Sequence, residues 1–241
     1  MKEESAWFSE RVNEWVHVVR WGHYGTPVLV FPTAGGDAGE IERNGLVGAL
    51  WPLIEAGRIK VFSVDSIAGR SWLRGDDPRH SMWLQDRFDD MIYREVVAAI
   101  RADCRDDFIE VVTAGASIGA FNAVASLCRH PDVFRAAIGM SGTYDLSDRL
   151  GGHWSDHFYF SSPLHYLPGL TEDGSLGPLR TRFVVLATGA GRWEDPDESW
   201  RMAAALGARG IPNRVDVWSE RHDHAWSTWR EMLPLYLDDL V

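Results

Sequence analysis

One seven-residue run constrains this chain more than any other: Ala114-Gly115-Ala116-Ser117-Ile118-Gly119-Ala120. An apolar segment at 108–113 precedes it and predicts a strand, and a helical pattern follows it. A strand that turns this sharply into a helix brings two backbone segments nearly into contact, so only small residues fit beside Ser117. The turn also forces a positive φ on the serine and lifts its hydroxyl above the end of the sheet. The pattern predicts a Gly-x-Ser-x-Gly turn with a nucleophilic serine. The competing interpretation is an ordinary turn whose serine caps a helix.

The composition is typical of a globular protein with a full core. The chain has 241 residues, 45% of them hydrophobic, which suits one large domain. Its net charge of −11 argues against nucleic acid or an anionic membrane as a partner. The N-terminal Met-Lys-Glu-Glu-Ser lacks the basic head and apolar stretch of a signal peptide, and no apolar run reaches membrane-spanning length. Two cysteines, Cys104 and Cys128, favour a reducing compartment, so we expect a cytoplasmic protein.

Short apolar strands alternate with helices along most of the chain. We expect strands at 15–21, 28–31, 59–64, 108–113, 136–140, 183–187 and 214–218. We expect helices at 42–56, 83–102, 118–129, 198–209 and 226–240, with prolines 52 and 234 kinking or breaking two of them. This alternation predicts a single α/β domain, in which a mostly parallel central sheet carries helices on both faces.

Residues 143–180 are predicted to form an irregular, aromatic-rich insertion in this domain. Phe158, Tyr159, Phe160 and Tyr166 all fall within it. Such aromatic side chains either line a pocket for an acyl or aryl group, as in a lid, or simply cap the core. The sequence favours neither role over the other.

A candidate base and acid follow Ser117 in the sequence. A serine hydroxyl attacks efficiently only when a base takes its proton and a carboxylate orients that base. Ligands of parallel sheets bind beyond the carboxyl ends of the strands, and the loop after the last predicted strand carries His222 and His224. The loop after 183–187 carries Glu194 and Asp195, ahead of two acids that suit the first turn of a helix.

The choice between the two acids rests on their neighbours. Glu194 follows Trp193 at the edge of the sheet, whereas Asp195 precedes a proline, so we prefer Glu194 and keep Asp195 as the alternative. The amide of Ile118, next to the nucleophile, is the first expected donor to an oxyanion. The His222-Asp223-His224 cluster has no spaced partner, so no metal site is predicted.

Three stretches resemble one family. His224-Ala225-Trp226-Ser227-Thr228-Trp229-Arg230 resembles the H-D-W-P-x-W-R stretch of the Putative esterase family, the α/β-hydrolase branch of esterase D-like enzymes, feruloyl esterases and mycolyltransferases. The run 140–145 is similar to the family's strand-to-loop exit, and the run 33–36 to its small-residue loop. The resemblance extends from about residue 28 to the C-terminus. It departs at Ala225 and Ser227, where the family has Asp and Pro.

This resemblance implies an α/β-hydrolase fold with the order serine, acid, histidine. It implies His224 rather than His222 as the base, and the amide of Ala34 as the second oxyanion donor. We therefore expect a serine carboxylesterase that hydrolyses a small-molecule ester through an acyl-enzyme on Ser117, without a cofactor. Two alternatives stay open: an acyltransferase that uses the same residues, and a binding protein on an inactive hydrolase fold.

Overall fold

The computed structural model of the chain describes residues 1–172 and 176–241, and in these ranges its strands form one eight-stranded sheet. Their order across the sheet is β1-β2-β4-β3-β5-β6-β7-β8. β1 pairs antiparallel with β2, and β2 with β4, while every other neighbouring pair is parallel. The predicted mostly parallel α/β sheet is confirmed. The strands are β1 (Lys2–Ser9), β2 (Glu14–Trp21), β3 (Thr26–Phe31), β4 (Ile59–Val64), β5 (Val111–Ala116), β6 (Phe134–Met140), β7 (Phe183–Thr188) and β8 (Asn213–Val217).

Helices cover both faces of this sheet, as the alternating pattern predicts. They are α1 (Glu40–Arg43), α2 (Leu46–Glu55), α3 (Ile67–Arg74), α4 (Pro78–Met91), α5 (Val97–Cys104), α6 (Ile118–Arg129), α7 (Asp156–Ser161), α8 (Pro163–Tyr166), α9 (Leu176–Leu179), α10 (Pro196–Gly207) and α11 (Trp226–Leu240). Successive side chains of a strand point to opposite faces. Accordingly, Leu29 and Phe31 of β3 pack with α4, α5, α6 and α10, whereas Val28 and Val30 pack with α2 and α11. Within the described residues, no helix is long and apolar enough to cross a membrane.

The central strand β3 marks the place where the sheet changes its direction of growth. Its neighbours are β4 on one side and β5 on the other, and all three strands are parallel. The loops that follow β3 and β5 therefore diverge at the carboxyl edge and leave a crevice between them, which is the usual ligand site of such sheets.

Three predicted elements are divided or have a boundary that differs by more than two residues from the observed one. The strand expected at 108–113 begins only at Val111, as β5. Phe108 is 87% exposed and lies in a turn, where its amide donates to the Asp106 carboxylate. The helix expected at 42–56 is divided at Gly45, whose φ of +76° is easily adopted by glycine, and α2 continues through Pro52. The helix expected at 83–102 starts earlier, at Pro78. It passes through one π turn at Ile92–Val96 into α5.

Outside residues 143–180, two elements have no counterpart in the sequence-based prediction. Nearly all of β1 is exposed, so it lacks the apolar alternation that marks a strand. The other is α3, a short helix between β4 and α4.

The insertion at 143–180 contains α7, α8, α9 and two 3₁₀ turns, Ser147–Leu150 and Leu167–Gly169, and its positions 173–175 lie outside the described residues. Phe158 and Tyr166 are buried and cap the core, whereas Trp154 and Phe160 are about half exposed. The buried pair supports the capping role for part of this segment.

Candidate active site

Ser117 occupies the turn between β5 and α6 with φ +58° and ψ −124°, so the positive φ predicted from the sequence is confirmed. Its amide donates to the carbonyl of Met140 (3.0 Å), and its carbonyl accepts the amides of Ala120 (3.1 Å) and Thr143 (3.3 Å). These contacts hold the strained backbone from both sides. The Ser117 hydroxyl makes no capping hydrogen bond to α6, which contradicts the interpretation as a helix-capping serine.

Small residues around Ser117 are required by the close approach of two backbones. A Cβ at Gly115 would collide with the carbonyl of Gly119. A Cβ at Gly119 would lie 2.5 Å from the carbonyl oxygen of Phe31 and 2.7 Å from that of Pro32. The start of α6 is thereby pressed against the end of β3.

The loop after β3 brings Ala34 close to the start of α6. The amide and hydroxyl of Thr33 both donate to the Glu40 carboxylate (2.8 and 2.7 Å), which fixes this loop. Ala34 packs against an apolar cluster that includes Ile118. As the first residue of α6, Ile118 has an N–H without an acceptor inside the helix. The Ala34 amide also finds no acceptor in the described part of the chain.

The two candidate acids have separate environments. The side chain of Glu194 is only 1% exposed, and its Oε1 lies 3.9 Å from Nδ1 of His224. Ser141 donates its hydroxyl to Oε1 of Glu194 (2.7 Å), and Thr188 lies 3.0 Å from Oε2. Asp195 is exposed and caps α10, where it accepts the amide of Asp197 (3.1 Å). Glu194 is the carboxylate that pairs with His224, whereas Asp195 lines the same cavity as His224.

His224 is held by its backbone and by its ring. Its amide donates to the carbonyl of Arg192 (3.0 Å), and Arg192 in turn pairs with Asp223. The loop that bears the histidine is therefore clamped to the loop that bears the acid. The imidazole packs edge-on against the Trp229 indole, with ring centroids 5.2 Å apart.

Burial lowers the pKa of His224 below its ordinary value, and the negative charge of Glu194 opposes that shift. A lowered pKa keeps the imidazole neutral, which is the form that can accept a proton.

The other histidines after Ser117 lie away from this pair. His222 faces Ser219 and Glu231 and packs edge-on against Trp218. His130 is the C-cap residue of α6, and its ring contacts the Asp89 carboxylate. The insertion's histidines include His157, paired with Asp86, and His165, hydrogen-bonded to Ser162.

A cavity of about 330 Å³ opens beside His224. The exit loop of β6 lines it through Ser141, Gly142 and Thr143, and the loop after β7 lines it through the exposed Trp193. Ser117 does not line this cavity, but Thr143 does, and its amide donates to the carbonyl of Ser117, so the cavity borders the serine turn. A larger cavity, of about 1150 Å³, lies at the amino ends of the strands, beside residues such as Arg20, Lys60 and Arg135. It therefore lies at the opposite edge of the sheet from Ser117. Within residues 1–172 and 176–241, no group of three or more His, Cys, Asp or Glu side chains is placed to hold a metal ion.

Most of this chain matches a protein-family model. The model described as Putative esterase matches residues 64–239. The chain belongs to the Putative esterase family. A search of curated proteins found no match. Membership in this family makes the chain an ester-hydrolysing enzyme.

Solved structures of the same shape cover the whole chain. A ferulic acid esterase has a TM-score of 0.78 at 17% identity and covers 100% of this chain and 97% of its own. MPT51 (FbpC1) of Mycobacterium tuberculosis has a TM-score of 0.71 at 17% identity, and the match covers 100% of this chain and 97% of MPT51. An S-formylglutathione hydrolase of Agrobacterium tumefaciens has a TM-score of 0.69 at 15% identity, and the match covers 100% of this chain and 92% of the hydrolase. At these identities the likeness shows the fold, which is that of an α/β-hydrolase.

The hydrogen bonds that surround Glu194 have no counterpart in the sequence-based prediction. Trp229 donates its indole N–H to the Ser141 hydroxyl (2.9 Å), and Ser141 donates to Glu194. Both belong to stretches that resemble the family, but their contact joins segments 88 residues apart. No local pattern predicts such a pairing.

Proposed function

We propose that this esterase is a serine carboxylesterase with Ser117 as nucleophile, His224 as base and Glu194 as acid. The observation that carries the proposal is the backbone of Ser117, held at a positive φ between β5 and α6 with its hydroxyl free of the helix. Such strain is retained where a reactive group must be presented.

The proposed reaction uses this chain's residues in sequence. Nε2 of His224 takes the proton of Ser117 as its oxygen attacks the ester carbonyl. The amides of Ile118 and Ala34 stabilise the oxyanion that forms. Glu194 keeps the proton of the imidazole on Nδ1 and balances the imidazolium. The alcohol leaves with the proton from His224, and water then hydrolyses the acyl-enzyme by the same base.

The cavity beside His224 suits a small ester. Its volume of about 330 Å³ is at the lower end of ligand pockets. Several of its walls are polar or charged, among them Asp145, Asp148 and Arg149. We therefore propose short or polar acyl groups as substrates in preference to long alkyl chains. An acyltransferase would use the same residues with an alcohol in place of water.

A panel of p-nitrophenyl and aryl esters with graded acyl length tests this function. We expect kcat/KM to fall as the acyl chain lengthens, and Ser117→Ala to lower kcat at least about a thousandfold without a change of melting temperature. A tenth of the wild-type kcat in Ser117→Ala would exclude the serine mechanism. Product analysis with added alcohol separates hydrolysis from acyl transfer.

The location in the cell stays a prediction. Cys104 and Cys128 are both free thiols in the structure, and Cys128 is buried. Free cysteines are typical of a reducing compartment, so we propose a cytoplasmic enzyme.

A further inference from the structure

Ser141 lies at the end of β6, where the chain turns towards the cavity. It is buried, with 4% exposure, and has a φ of +47°, which is unusual for a residue other than glycine. Its amide donates to the carbonyl of Ala187 (2.7 Å), so its backbone is fixed to β7. A strained, buried serine beside the candidate acid requires an explanation in terms of its hydroxyl.

The direction of the hydrogen bonds at Ser141 follows from its neighbours. An indole N–H can only donate, so Trp229 obliges the Ser141 oxygen to accept (2.9 Å). The single proton of Ser141 then goes to Oε1 of Glu194 (2.7 Å). Trp229, Ser141 and Glu194 form a chain of hydrogen bonds with one polarity.

The second hydroxyl near Glu194, that of Thr188, has two possible acceptors. The Thr188 hydroxyl lies 3.0 Å from Oε2 of Glu194 and 3.1 Å from the carbonyl of Gly189, and it has one proton to share between them. His224 is 3.9 Å from Oε1, beyond hydrogen-bond distance. Ser141 is therefore the donor that fixes the carboxylate of Glu194.

We propose that Ser141 is a positioning residue for the esterase: oriented by Trp229, its hydroxyl holds the Glu194 carboxylate in place to face His224. The inference rests on the proposed function, because it acts through the proposed acid. It assigns Trp229 two tasks, since the same indole that donates to Ser141 also packs edge-on against His224.

The test is a set of variants assayed on one short-chain p-nitrophenyl ester. Ser141→Ala should lower kcat about ten- to hundredfold, because a misplaced carboxylate no longer orients the base. KM should change by less than about twofold, because the Ser141 hydroxyl, although it borders the cavity, is engaged by Trp229 and Glu194 and is not free to bind substrate. In a Glu194→Gln background, Ser141→Ala should cost little more, because residues that act as a unit are non-additive.

Trp229→Phe guards against a folding defect. Ser141→Ala leaves a buried indole N–H without an acceptor, whereas Trp229→Phe removes that donor and keeps an aromatic ring beside His224. We expect Trp229→Phe also to lower kcat at constant KM. Ser63→Ala is the matched control, because the Ser63 hydroxyl is fully buried in β4 and has no hydrogen-bond partner among the described residues. It should keep the wild-type kcat.

Two outcomes would overturn the inference. One is a wild-type kcat in both Ser141→Ala and Trp229→Phe with unchanged melting temperatures. The other is a full additional loss from Ser141→Ala in the Glu194→Gln background. In either case an inactive Ser117→Ala leaves the proposed function standing. An active Ser117→Ala would instead refute the serine mechanism itself.

Discussion

Glu194 and His224, the proposed acid and base, have different surroundings. The carboxylate is almost fully buried and held by hydroxyl donors, whereas the imidazole is a quarter exposed beside the cavity. A buried, hydrogen-bonded carboxylate can orient an imidazole without taking up its proton. The separation of 3.9 Å between them suits a free enzyme, because catalytic hydrogen bonds often tighten only once substrate binds.

Glu194→Gln should lower kcat by several orders of magnitude and leave KM nearly unchanged, because the amide can neither select the tautomer nor balance the imidazolium. Asp195→Asn is the matched control, since its side chain caps α10 and asparagine caps equally well. It should cost less than about tenfold in kcat. Steady-state kinetics on one ester decide this, and the reverse ranking would make Asp195 the acid.

His224→Ala should be as damaging to kcat as Ser117→Ala, and the double variant hardly worse than either single one. His222→Ala should retain most activity, because the His222 ring contacts Ser219, Glu231 and Trp218 rather than Glu194. Comparison of the four kcat values tests this assignment. A larger loss from His222→Ala than from His224→Ala would show that the base has been assigned to the wrong histidine.

At the scale of elements, the contact between β3 and α6 aligns the two loops of the site. The start of α6 lies against the carbonyls of Phe31 and Pro32 because Gly119 has no side chain. This contact brings Ile118 and Ala34 to the same crevice. It couples the stability of the fold to the geometry of the site.

Gly119→Ala should therefore lower both stability and activity. The added Cβ meets backbone that cannot move aside, so we expect a loss of about 1–3 kcal/mol in the free energy of unfolding. Gly48→Ala is the control, because a Cβ at that exposed position in α2 meets nothing within 4 Å. It should raise stability by roughly 0.5–1 kcal/mol and leave kcat unchanged. Urea unfolding measures the free energy of unfolding of both variants. A stability of Gly119→Ala equal to that of Gly48→Ala would contradict the close contact.

The sequence predicts these elements well where a pattern is local. Helix α6 and the last helix have the predicted boundaries, because the apolar spacing that marks each of them lies within its own segment. Strand β1 could not be predicted, since its pairing with β2 compensates for a polar, exposed sequence. The positive φ of Ser117 could be predicted, because it depends on small residues beside it in the sequence. The hydrogen bonds from Trp229 to Ser141 and from Ser141 to Glu194 could not, because they join distant segments.

For the whole molecule, the reversal of strand order at β3 sets the place of the chemistry. The loops after β3, β5, β6 and β7 and the loop before α11 all reach the same edge, as the sequence predicts for a parallel sheet. The net charge of −11 disfavours association of the whole molecule with polyanions.

The pH dependence of kcat/KM on a neutral ester should follow His224. Only the neutral imidazole accepts the Ser117 proton, so activity should rise with pH through the pKa of His224 and then level off. Because burial lowers that pKa, the midpoint should lie below the ordinary histidine value of about 6.5. Rates measured from about pH 5 to 9 test this. A decline between about pH 6 and 8 would contradict a base that acts as neutral imidazole.

Covalent labelling tests the central claim most directly. A fluorophosphonate ester reacts with a serine only when a neighbouring base activates the hydroxyl. Peptide mass spectrometry of the treated enzyme should find one equivalent on Ser117, with ester hydrolysis lost in parallel, and no adduct in His224→Ala. Full hydrolysis after complete treatment, or an adduct on another residue that accounts for the loss, would contradict Ser117 as the nucleophile.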